Sequence, residues 1–148
     1  MNLHDFLHPV KQDEVREIVV TDRFIQHDEL GKPILDENGN TIPVKFKIKA
    51  LTEDTVSKLR KKCTRKEKNR QGQWVEQFDS HRFVRALVVE ATVEPDFSSA
   101  EMCQAYGVVD PLDVPGVMLY AGEYTKLSDE ICNLSHIFDD DVEEDAKN

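Results

Sequence analysis

Three groupings of side chains in this sequence have residue types and spacings that could do chemistry. His4 and His8 are spaced to place two imidazoles on one helix face as metal ligands. Pro9 cuts such a helix short and no third ligand is marked, so two surface histidines are expected. Asp36-Glu37-Asn38-Gly39-Asn40 resembles the start of a calcium loop. With Asp36 first, however, the twelfth position falls on Lys47 and the flanks are strand-like, so a turn is expected instead. Asp139, Asp140, Asp141, Glu143, Glu144 and Asp145 could attract divalent cations, but a solvated run offers no fixed cavity to select one. No metal and no cofactor is expected.

Nucleophilic chemistry has no better footing. Cys63, Cys103 and Cys132 are far apart and odd in number, so they draw neither a disulfide framework nor a zinc knuckle, and they read as small apolar side chains or thiols. No phosphate-binding glycine loop, nucleophile elbow or zinc-protease helix occurs. With 29 Asp+Glu in 148 residues, a proposed carboxylate pair is uninformative. An enzyme is not expected.

Charge is unevenly spread. The net charge is -10, yet Lys45 to Arg70 holds 11 Lys+Arg and 3 Asp+Glu, a local +8 that leaves -18 elsewhere. Clustered cations release counterions from a phosphate backbone, so nucleic acid is the rival partner, through Lys58, Arg60, Lys61, Lys62, Arg65 and Lys66. The acidic total, the lack of aromatics within Arg60 to Arg70 and the absence of a reader motif weigh against it. The preferred reading is a basic face that balances the acidic remainder or contacts the acidic tail. No apolar stretch approaches the roughly 20 residues of a bilayer span, and the first residues lack a signal peptide's basic head and apolar run. A cytoplasmic protein is expected.

The elements that must position these residues follow from periodicity. Leu3 to Leu7 reads as one helical turn with Leu3, Phe6 and Leu7 on one side, able to dock on a larger body. Val15 to Val20 is strand-like. Gly31-Lys32-Pro33 and Asp36 to Asn40 are turn signals. Val44, Phe46, Ile48 and Ala50 alternate with lysines as a half-buried strand does. At Thr52 the period lengthens: Thr52 suits an N-cap, Leu51 and Val56 a hydrophobic staple, and a basic helix with a thin stripe of Val56, Leu59 and Cys63 is expected through Lys66. Lys68 to Gln73 reads as a polar linker. His81 to Val93 reads as the central core helix, with a strand as the alternative for its β-branched end. Ser98 with Glu101 suggests a capping box for a short helix closed by Gly107, Asp110-Pro111 starts another with a break near Pro115, and Tyr124, Leu127, Ile131, Leu134 and Phe138 stripe a last helix.

The predicted fold class is α+β: an N-terminal β-hairpin or small antiparallel sheet over 1–51, four to five helices over 52–138, and an acidic solvated tail over 139–148.

Several segments, in order along nearly the whole chain, resemble the XkdN-like phage tail assembly chaperones of Gram-positive bacteria and their prophages. They are Leu3-His4-Asp5-Phe6-Leu7; Val19-Val20-Thr21-Asp22-Arg23-Phe24 with Gly31-Lys32-Pro33; Phe46-Lys47-Ile48-Lys49-Ala50-Leu51-Thr52 before the basic run; Gly122-Glu123-Tyr124 with Leu127; and Glu144-Asp145-Ala146-Lys147-Asn148. Thr21 stands where the family usually has Ser. The resemblance implies a non-enzymatic protein of the bacterial host cytoplasm that binds the tape measure protein, with the tail tube protein and a second copy as further candidate partners. Tyr124, Leu127, Ile131 and Leu134 are the candidate adhesive stripe, although packing of the internal core is the expected use of most of them. A ribosomal slip at the codons of Ala146-Lys147-Asn148, giving a longer form, is a further expectation.

Overall fold

The computed structural model describes residues 2–137. The first turn, α1 (His4–Leu7), forms as the pattern predicts, but Leu3, Phe6 and Leu7 stay exposed. Strand β1 (Val15–Ile18) pairs antiparallel with β2 (Phe46–Lys49), from Val15↔Lys49 to Ile18↔Phe46. The alternation in β2 has the expected result: Phe46 and Ile48 are buried, while Lys47 and Lys49 lie on the other face.

Between these strands the chain runs out and back as an arm of three short legs, bridged at Ile25↔Pro43, His27↔Pro33 and Leu35↔Thr41. Its two bends share one chemistry. Asp28 Oδ1 accepts the N–H groups of Leu30 and Lys32, and Asp36 Oδ1 those of Asn38 and Asn40, all at 2.9 Å. Gly31 and Gly39 take the positive φ, +80° and +79°, that each bend needs. The Asp36 segment is thus a turn.

Helix α2 (Glu53–Lys62) starts at Thr52, whose hydroxyl accepts the Thr55 N–H at 3.3 Å, and Leu51 and Val56 are both buried as the staple requires. It is shorter than expected. Arg65 and Lys66 are not on a basic helix but on β3 (Thr64–Lys68), which pairs with β4 (Trp74–Phe78) from Thr64↔Phe78 to Lys68↔Trp74. The presumed linker is this hairpin's turn: Asn69 Oδ1 accepts the N–H groups of Gln71 and Gln73, and Gly72 has φ +77°. Buried Cys63 caps α2, and Thr64 turns its hydroxyl onto the Arg60 carbonyl at 2.9 Å, so the local bonds favour leaving the helix there.

Asp79 caps α3 (Ser80–Ala91), accepting the Arg82 N–H at 3.0 Å. The β-branched end of that segment becomes β5 (Thr92–Glu94), which joins the open edge of β2 to complete the sheet order β1-β2-β5. Helix α4 (Ala100–Ala105) is capped by Ser99, one residue later than the pattern suggested, because Asp96 holds Ser98 through both its N–H and its hydroxyl. A 3-10 turn (Pro111–Asp113) then passes into α5 (Val114–Met118), and α6 (Ala121–Leu134) follows.

The class is α+β, with strands β3, β4 and β5 inside the stretch expected to be purely helical. One core joins sheet to helices: Phe46, Ile48, Phe83, Val88, Phe97, Leu127 and Ile131 are each at most 2% exposed. Burial of a side chain of this size contributes about 1.5–3 kcal/mol. Salt bridges brace the outside, Arg16 to Glu130 at 3.3 Å, Arg82 to Asp110 at 3.1 Å and Arg85 to Asp113 at 2.8 Å. Phe138 and the acidic 139–148 lie outside the described residues.

Candidate partner-binding groove

The expected adhesive stripe is on α6 and faces inward. Leu127, Ile131 and Leu134 are 0%, 1% and 4% exposed, and Tyr124 is half-buried with its hydroxyl pKa raised by that burial. Three of the four side chains therefore present no surface in this conformation. The six basic candidates fall into two sets, Lys58, Arg60, Lys61 and Lys62 on α2 and Arg65 and Lys66 on β3. The two sets meet across a cleft of about 490 Å³ lined by Ser57, Arg60, Lys61, Thr64, Lys66 and Glu76.

Open apolar surface lies elsewhere. A groove of about 530 Å³ runs between the root of the 24–44 arm and the α4–α5 side of the helices. Phe24, Ile25 and Val44 come from the arm, Phe46 from β2, Pro95 from the loop after β5, Met102 and Tyr106 from α4 and its cap, and Met118 from the end of α5. His27, Lys45 and Glu94 supply polar rim groups of both signs. Unbranched methionines adapt to irregular apolar shapes, so the groove suits a side-chain surface better than one small rigid ligand.

One corner of the groove is fixed by charge. The Arg23 guanidinium donates to both oxygens of Glu123 on α6, with Nε to Oε2 at 3.2 Å, and to the Met118 carbonyl at 2.9 Å. It stacks 3.9 Å from the Tyr120 ring centroid and 5.1 Å from that of Phe24. Glu123 Oε1 also accepts the Tyr120 N–H at 2.8 Å. Arg23, first, with the Thr21 hydroxyl and the Tyr120 N–H, lowers the Glu123 pKa from 4.5 to about 2, and Glu123 in turn raises that of Arg23. Thr21 is buried and its hydroxyl accepts the Arg23 N–H at 3.1 Å. Two short segments about 100 residues apart, around Thr21-Asp22-Arg23-Phe24 and Gly122-Glu123-Tyr124, thus meet at the groove's edge.

The residues considered for metal chemistry are not gathered. His4 and His8 are both exposed, with His8 already outside α1. Among the described residues no group of three or more His, Cys, Asp or Glu is placed to hold a metal ion. Cys63 is buried, which raises its pKa, and Cys103 and Cys132 are half-buried. Among the described residues no helix is long and apolar enough to cross a membrane.

Sequence reasoning missed the groove because its lining is assembled from five separated segments that share no common apolar period. The one available signal was Asp-x-x-Gly at 28–31 and 36–39, which fixes the two bends of the arm whose root forms one wall of the groove.

Known proteins with this sequence pattern and fold point to one family. The sequence model of the phage XkdN-like tail assembly chaperone protein matches residues 3–147. Protein XkdN of the phage-like element PBSX in Bacillus subtilis is 34% identical over 153 residues, covering 99% of this chain and 96% of that protein. Protein YqbN of the same organism is 36% identical over 123 residues, covering 80% of each. The crystal structure of YqbN superposes with a TM-score of 0.67 at 28% identity, over 94% of this chain and 98% of the other. The chain belongs to the XkdN-like phage tail assembly chaperone family.

Proposed function

We propose that this tail assembly chaperone binds the tape measure protein in the host cytoplasm and holds it soluble until tail tube subunits enclose it, acting by binding alone. A long apolar helical filament core aggregates if left bare, and a chaperone for it needs accessible apolar surface on a strongly charged body. The observation that carries the reading is the groove: Phe24, Ile25, Val44, Met102, Tyr106 and Met118 form an open apolar surface on a chain of net charge -10. A helix of the partner would insert side chains spaced three or four apart into it. The tail tube protein is a second candidate partner, engaged after the first.

Co-expression with the tape measure protein of the same prophage tests this. Met102→Lys and Tyr106→Glu, each checked for an unchanged circular dichroism spectrum, are expected to return the tape measure protein to the insoluble fraction. Undiminished rescue by both variants would contradict the assignment of the groove.

A further inference from the structure

The basic cleft and the outer face of the β3–β4 hairpin form one continuous surface that the groove does not use. We propose that this surface binds single-stranded nucleic acid without sequence preference, with Trp74 stacking on an unpaired base while Lys61, Lys66 and Lys68 hold the neighbouring phosphates.

Strand register makes the surface. Directly opposed residues of an antiparallel pair lie on one face, and alternate residues along each strand return to it. Thr64, Lys66 and Lys68 therefore share a face with Phe78, Glu76 and Trp74. At its root this face packs on the helices, with the Phe78 and Phe83 ring centroids 5.4 Å apart. Next along it, Thr64, Lys66 and Glu76 meet Ser57, Arg60 and Lys61 of α2 across the cleft. At its outer end stands Trp74, 65% exposed, with Lys68 Nζ 5.2 Å from the ring centroid.

Charge and ring together select the ligand. Ser57 to Phe78 holds eight Lys+Arg and two Glu, a local +6. Lys58 is paired with Asp54 at 2.9 Å and Arg65 with Glu67 at 2.7 Å, while Lys61, Lys66 and Lys68 are exposed. Glu76, the carboxylate in the cleft, lies opposite Lys66. Repulsion from acids elsewhere on the chain is screened beyond roughly 8 Å at physiological salt. An acidic peptide would use the lysines but has no use for a bare indole, and a duplex hides the faces of its bases. An unpaired nucleotide offers both a base to stack and a phosphate for an ammonium group beside it. The lack of an aromatic within Arg60 to Arg70 counts against nucleic acid in the sequence, and the pairing of Lys68 with Trp74 supplies that aromatic in space.

Trp74 is the chain's single tryptophan, so its fluorescence reports the contact directly. Titrating the full chain with oligo(dT) of about 12 nucleotides at about 0.1 M salt should quench that fluorescence saturably, with a Kd on the order of 10 µM. The logarithm of the affinity should fall with that of the salt concentration at a slope of about -2, as three phosphate contacts on a single strand require. Lys61→Glu with Lys66→Glu should weaken binding more than about tenfold. Trp74→Ala, followed by the anisotropy of a labelled oligonucleotide, should cost about tenfold, and Trp74→Phe should recover most of that loss. Each variant is checked for an unchanged circular dichroism spectrum. Absence of quenching, equal quenching by polyglutamate of the same charge, equal affinity for a duplex, or full affinity in Trp74→Ala would each overturn the proposal. Rescue of the tape measure protein reads the groove instead, so the two assignments can fail separately.

Discussion

The stripe on α6 and the groove beside α4 are both apolar, yet they do opposite things. Leu127, Ile131 and Leu134 recur at helical spacing and vanish into the core against α3 and β2. Phe24, Val44, Met102 and Tyr106 share no period and remain on an open surface. A regular stripe is what a helix needs to join a core, and so regularity marks the surface least available to a partner. A surface kept open has to be built from pieces that each escape the core, here from a protruding arm and a short helix.

Substitutions can separate the two regions. Leu127→Ala leaves a cavity at the centre of the molecule and should destabilise it by about 2–5 kcal/mol in urea unfolding, taking any chaperone activity with it. Met102→Lys should leave the unfolding midpoint within about 1 kcal/mol of the parent chain because its side chain is half-buried at a groove wall. It should nonetheless abolish rescue. If both variants lose rescue only in proportion to stability, the distinction between core and groove fails.

A smaller effect belongs to the corner where the regions join. Glu123 is held at about 2 by Arg23 against an ordinary 4.5, so the stability from this pair is complete above about pH 4.5 and disappears as the pH falls towards 2. Glu123→Gln should lower the melting temperature by a few degrees at pH 7 and flatten its decline in that acid range. An unchanged acid profile would mean that the pair contributes nothing. Least affected should be Lys61→Glu with Lys62→Glu, which touches neither region. Stability within about 0.5 kcal/mol and nearly normal rescue are expected; complete loss of rescue with the fold intact would move the binding surface to the basic cleft.

Legibility in the sequence followed the range of the interactions. Thr52, Leu51 and Val56 announced α2 because a cap and a staple are local, and the lysine alternation announced β2 for the same reason. The α6 stripe was visible, and its expected burial is observed for three of four residues. The β3–β4 hairpin was hidden because Thr64 to Lys68 is so polar that it resembles more basic helix, although Asn69-x-x-Gly72 repeats the spacing of Asp28-x-x-Gly31 and Asp36-x-x-Gly39. Asn and Asp do the same bonding there, and reading the three turns as one pattern finds the hairpin. The shift of the α4 cap from Ser98 to Ser99 turned on Asp96, a competitor two residues back. The groove and the Arg23–Glu123 pair depend on tertiary contact across about 100 residues, which no local period encodes.

Hydrogen exchange on the chain alone and in complex with a soluble segment of the tape measure protein tests the central claim most directly. The account predicts new protection at 24–27, 44–46 and 102–106, with the amides of α6 slow in both states. Protection confined to α6 or to the β3–β4 hairpin, with those three stretches unchanged, would contradict it.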